Sequence, residues 1–173
     1  TADNKDDGSS IISVNSPEIV NGYIQGDFKF KQIRAIVENA LGSLYTNYKP
    51  NPLEGGQYVN FDLNISNKII ELLLPTLTVS DETNIKGNIV ADSGDFKLQF
   101  HSPYVHISNN KLRNINLSVD NQNPLFNTYM SIDTVRLSGY NITDFNLINI
   151  TENDTLFVRT EFKGGAESKD FFN

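Results

Sequence analysis

His101 and His106 are the only imidazoles in the chain, five residues apart across Ser102-Pro103. Two histidines with one carboxylate would suit a transition metal. The apolar residues of this stretch are Phe100, Val105 and Ile107, so both imidazoles fall on the opposite, polar face of an extended chain. The next carboxylates, Asp95 and Asp120, lie well to either side, and the expectation is solvent-facing histidines with no metal. The serines lack a Gly-x-Ser-x-Gly elbow that would raise a nucleophile. Gly55-Gly56 and Gly164-Gly165 lack the Lys-Ser/Thr that completes a phosphate loop. A glycoside hydrolase needs carboxylates converging on one strand face. The acids here (Asp3, Asp6, Asp7, Asp81, Glu82, Asp95, Glu152, Asp154) sit mostly in turns and tails. No catalytic, cofactor-binding or metal-binding residue is assigned, and the chain reads as a non-enzyme that uses no cofactor.

Composition narrows the classes further. The 173 residues are 38% hydrophobic and 20% charged, with a mean hydropathy of −0.35. A net charge of −7 and scattered Lys and Arg exclude the basic stripe that nucleic acid requires. No stretch approaches the roughly 20 apolar residues of a membrane-spanning helix. The absence of cysteine removes disulfides and thiolate chemistry without deciding the compartment. Sequons at Asn64, Asn116, Asn141, Asn149 and Asn153 are what chance produces in so asparagine-rich a chain. The opening residue Thr1 suggests a processed form or an internal segment.

The elements that would position any site are mostly strands. Residues 1–10 are polar and glycine/serine-rich and read as a flexible lead-in. Over 11–75 come Ile12–Val14, an alternating Tyr23–Phe30 and a clear alternating Tyr58–Ile65, together with two helices. Ile33, Ile36, Val37, Ala40, Leu41 and Leu44 form one apolar stripe, which predicts an amphipathic helix over 31–44 plugging the end of a β-core. Its polar face is not basic enough to favour a membrane surface. Residues 68–74 predict a short helix, apolar nearly all round and stopped by Pro75. From 76 to 165 every segment reads as strand, and 166–173 as a tail.

The second half repeats. Val105-x-Ile107-x4-Leu112-x2-Ile115-Asn-Leu117 matches Val135-x-Leu137-x4-Ile142-x2-Phe145-Asn-Leu147 at a constant offset of 30 residues, and Asn114 matches Asp144. The match extends residues 105–126 onto 135–157 with one insertion. Stacked units of this kind bury their apolar faces against their neighbours. An ordinary antiparallel meander would produce the same alternation.

Several runs carry a resemblance: Ile85-Lys-Gly-Asn-Ile89, Asp95 to Pro103, Leu112 to Leu117, Asn123-Pro-Leu-Phe126, Asn153-Asp-Thr-Leu-Phe157 and Arg159 to Gly165. With Gly26-Asp-Phe-Lys-Phe30, Thr46-Asn-Tyr-Lys-Pro50 and Asn67 to Pro75, they resemble the TamB (translocation and assembly module) family, closest to its Bacteroidota forms. The resemblance covers roughly residues 12–165 through degenerate β-repeats. It implies a mainly β fold, antiparallel strands in an elongated, repeat-built trough (a β-taco), from which the one or two short helices read near the N-terminal half depart. It implies a periplasmic segment of a longer inner-membrane-anchored bacterial protein. Such a segment would hold phospholipid acyl chains on an apolar lining and assist outer-membrane protein assembly with a TamA-like barrel partner. Phe96, Leu98, Phe100, Ile115, Leu117, Val119, Phe145 and Leu147 are the expected lining. The competing reading is a β-module whose exposed edge pairs with an outer-membrane client.

Overall fold

Alternating side chains with β-branched and aromatic residues on one face make strands that are stable only when paired. In the computed structural model twelve of them pair into one antiparallel sheet. The residues described are 2–4, 10–16, 18–44, 48–152, 155–165 and 169–173, with the side chains of 2–4, 73 and 152 set aside. Asp6, Asp7, Thr46, Asn153 and Asp154 lie outside the described residues.

The strands are β1 (Ala2–Asn4), β2 (Ser10–Ser16), β3 (Val20–Asp27), β4 (Tyr58–Ile65), β5 (Leu77–Val79) and β6 (Thr83–Val90). They continue as β7 (Asp95–Ile107), β8 (Asn110–Asp120), β9 (Thr128–Leu137), β10 (Tyr140–Glu152), β11 (Thr155–Gly164) and β12 (Asp170–Phe172). Eleven neighbour one another in chain order, and β5 stands off that path by pairing with β7. Two helices interrupt the meander, α1 (Ile33–Gly42) between β3 and β4 and α2 (Asn67–Leu73) between β4 and β5. A single 3-10 turn, Phe30–Gln32, leads into α1.

Two expectations need correction. Ala2–Asn4, assigned to the flexible lead-in, pairs with Ser10–Ile12 of β2. Asp170–Phe172, assigned to the tail, pairs with Phe162–Gly164 of β11, and Phe172 stacks on Phe162 with ring centres 5.0 Å apart. Both segments are three residues long, too short to show alternation, and they exist as strands because a neighbour supplies the other half of each hydrogen bond. β7 runs through Ser102-Pro103 without a break. β6 pairs with Asp95–His101 and β5 with Val105–Ile107, so no strand needs an N–H at Pro103 on that side. The gap is closed by side chains. Thr83 and Ser102 are 1% and 0% exposed, with hydroxyls bonded to each other at 2.8 Å, so that one donates to its neighbour and the other to a backbone carbonyl, that of Ser80 or of Tyr104.

The helices anchor locally. The side chain of Asn39 holds the following loop at both backbone groups of Asn51 and at Tyr48 Oη. Buried Gln57 accepts from the N–H of Lys29 and donates to Gln32 and to the carbonyl of Glu54. At the start of α2, Asp81 accepts from the Asn67 N–H and the Ser66 hydroxyl, and those bonds hold its carboxyl below the usual carboxylate value.

The 30-residue repeat corresponds to two successive hairpins, β7–β8 turning at Ser108-Asn109 and β9–β10 turning at Ser138-Gly139. The matched residues Asn114 and Asp144 share one backbone state, left-handed at φ 51° and 53°. Around them the side-chain alternation changes phase. Ile115, Ile132 and Phe145 stand in one cross-strand row, and Val105, Leu112 and Val135 in another three residues away. Both rows nevertheless pack in one apolar cluster. A strict period of two would put residues three apart on opposite faces. The left-handed residues let β8 and β10 make that switch, so Asn114→Val should destabilise by about 1–2 kcal/mol because a β-branched residue is penalised there. Asn114→Gly should stay within about 0.5–1 kcal/mol of the parent in urea unfolding, since glycine adopts this backbone freely.

Candidate functional site

Register defines two faces with opposite chemistry. One cross-strand row on the first face is Leu63, Ile85, Phe100, Leu117, Met130 and Leu147, running from β4 to β10. All six are half-buried. Beside it runs Ile24, Phe61, Gly87, Leu98 and Val119, and beyond that Val59, Ile89 and Phe96. The eight residues expected to line a trough all lie on this face. The structure divides them by burial. Phe96, Ile115 and Val119 are buried core at 3%, 7% and 5% exposure, whereas Leu98, Phe100, Leu117, Phe145 and Leu147 remain half-open. Leu63, Ile85 and Met130 belong to the same open row and were not singled out from sequence.

α1 lies across one end of this face and splits its own apolar stripe in two. Ile36 and Ala40 are buried in a cluster with Val59, Ile89, Phe96 and Val119, and Leu44 packs against it. Val37 and Leu41 instead stay 41% and 48% exposed. With Ile33 they overhang a cleft of about 410 Å³ whose floor includes Ile24, Phe61, Ile85 and Leu98. Every residue lining it is apolar. Phe61 can lie flat here because its cross-strand neighbour is Gly87, where a Cβ would come within 2.7 Å of the Phe61 ring. At the other end, Ile70 of α2 and Leu77 of β5 pack against Val79, Val105, Ile115 and Ile132. Leu72 and Leu74 are exposed and cover nothing. Between the helices the central row has no second layer over it among the described residues.

The face continues past β10 without cover. Leu156 and Val158 of β11 stand on it, each more than half exposed, while Phe157 between them, also more than half exposed, falls on the opposite face. β12 pairs only with Phe162–Gly164, so along 156–161 the outer edge of β11 has no strand partner among the described residues. Phe145, Phe162 and Phe172 stack across the last three strands.

The histidines stand on the polar face. His101 is exposed, with Nδ1 2.8 Å from Asn116 Oδ1. His106 is half-buried, its ring centre 5.2 Å from that of Tyr104. Among the described residues no three His, Asp or Glu side chains gather as a metal site. No family model, curated protein or solved structure matches the chain.

The split in α1 yields contrasting expectations. Ile36→Ala should cost about 2–4 kcal/mol, as buried aliphatic truncations do. Val37→Ala and Leu41→Ala should each cost less than about 1 kcal/mol, because little area leaves a packed environment. Chemical denaturation of the three variants distinguishes a helix packed on both rows from one packed on Ile36 and Ala40 alone.

Proposed function

We propose that this chain is a non-enzymatic periplasmic segment of a TamB-like, inner-membrane-anchored protein, and that its apolar sheet face carries phospholipid acyl chains toward the outer membrane. The observation that carries this reading is the half-open row from Leu63 to Leu147, continuous over six strands and flanked by the all-apolar cleft under α1. A soluble protein seldom exposes a contiguous apolar surface beyond a few hundred Å² unless something binds there. An acyl chain needs shape and apolar area and no charged partner, which suits a face whose lining has no ionisable side chain. The family resemblance of residues 12–165 supports the same assignment. No helix among the described residues is long and apolar enough to cross a membrane.

The purified chain should retain phospholipid in native mass spectrometry. Leu117→Arg with Leu147→Arg should remove that lipid while leaving the β-sheet circular dichroism intact, because both side chains stand on the half-open row. A lipid-free parent protein, or undiminished lipid in the double variant, would overturn the proposal.

A second reading rests on the outer edge of β11. The outer backbone edge along 156–161, beside exposed Leu156, Phe157 and Val158, has no strand partner among the described residues and is the arrangement by which a sheet edge accepts a partner's strand. The partner would be an outer-membrane client or a TamA-like barrel. Val158→Pro should abolish client capture under this reading and leave lipid retention unchanged. Capture that survives the substitution would exclude this edge.

A further inference from the structure

From β3 to β9 the opposite face of the sheet is mostly polar, and beyond it Ile148 and Phe157 bring apolar side chains onto the same face. Asn15, Asn21, Asn64, Asn84, His101, Asn116, Ser131, Asn146 and Glu161 form a single cross-strand row over nine strands. Next to it runs Tyr23, Asp62, Lys86, Gln99, Ser118 and Tyr129. These rows border two adjoining grooves of about 420 and 410 Å³ that share Lys86, Gln99 and Ser118.

The walls and floor of the grooves differ in how far they are satisfied. Along the walls, amides bond across strands: Asn84 to Asp62 and Asn64, Asn88 to Asn60, and His101 to Asn116. In the middle, the side chains of Tyr23, Gln25, Lys86 and Gln99 have no hydrogen-bond partner among the described residues. Lys86 stands directly opposite Asp62 in register and still forms no ion pair. Tyr23 is 41% exposed at one end, and Tyr129 at the other is fixed by a 3.0 Å bond to Asn146. Five strand spacings separate the two rings, roughly 24 Å.

Charge selects the occupant. Asp62 and Asp120 offset Lys86 and Lys97 within the first groove, and Lys97 already pairs with Asp120 at 3.2 Å. A groove without net charge has no preference for a phosphate, a polyanion or a cation. It offers amide donors and acceptors in alternation, with an amphipathic ring at each end. Those groups match a neutral polyhydroxyl chain, whose hydroxyls both donate and accept and whose C–H faces lie on tyrosine rings. We propose that this polar face binds a neutral linear oligosaccharide laid across the strands from Tyr23 to Tyr129, independently of the apolar face.

The chain contains no tryptophan, so its intrinsic fluorescence reports tyrosine. Titration with cellohexaose and with chitohexaose should change that emission saturably and shift the side-chain amide NMR signals of Gln25 and Gln99. Tyr23→Ala should weaken binding about tenfold, a loss of about 1.4 kcal/mol. Gln99→Ala should weaken it by a smaller factor. Both side chains are exposed, so unchanged circular dichroism is expected and distinguishes lost binding from lost fold. Leu147→Arg, on the other face and outside the lining of both grooves, should leave sugar binding intact whatever it does to lipid. The proposal is overturned if neither hexasaccharide perturbs Gln25 or Gln99 at about 10 mM. Equal affinity in Tyr23→Ala and Gln99→Ala overturns it as well.

Discussion

Everything in this molecule follows from one layer of strands joined by backbone hydrogen bonds with no second sheet to close on. A strand needs an apolar face to leave the denatured state, and a two-sheet sandwich would hide that face completely. Here two short helices are the available cover. α1 seals one end through Ile36 and Ala40, and Ile70 of α2 helps seal the other. The area between them exceeds what seventeen helical residues can cover, counting ten in α1 and seven in α2. The half-open row from Leu63 to Leu147 is therefore a geometric consequence of the architecture, and its proposed function makes use of it.

The phase change in β7 to β10 determines how far that apolar surface extends. Had the alternation simply continued, Val105, Leu112 and Val135 would have faced the polar side and been lost to the second cluster. Left-handed Asn114 and Asp144 keep both rows on one face, at the cost of a ladder irregularity that β10 shows against β11. Polar links mark the same line, Asn114 to Asp133 and Lys163 to Asp144. Pro103 lies in register with Asn114, at the one place on β7 where neither β5 nor β6 needs its N–H. Three sequence oddities, a proline and two polar residues in the middle of strands, thus share one structural cause.

From β3 to β9 the two faces divide the chemistry. Aliphatic and aromatic area is concentrated on one side, amides and balanced charge on the other, so apolar and polar ligands would not compete for the same surface. The abundance of asparagine, which reads from sequence as sequon noise, has a spatial order. Asparagines from six of nine strands stand in one row, and some of them bond across strands, Asn84 to Asn64 and Asn116 to His101, as cross-strand polar pairs do when neither partner is fully desolvated.

Local periodicity was enough to identify the strands, the α1 stripe and the 30-residue repeat, because each is a property of neighbours in the chain. The x2 spacing in Leu112-x2-Ile115 and Ile142-x2-Phe145 even carried the phase change, since a strand spacing of three cannot keep one face without a backbone irregularity. β1 and β12 were not legible, because three residues show no period and owe their form to a partner. The continuity of β7 through Pro103 depended on which strands stop beside it. The open row and the amide row depended on register, a relation between strands that no single strand encodes. Whether Val37 and Leu41 pack or overhang was decided by where α1 comes to rest on the sheet. The chain by itself determined which side chains share a face; the tertiary structure alone decided which of them meet, because pairing and coverage are set by contacts between segments far apart in sequence.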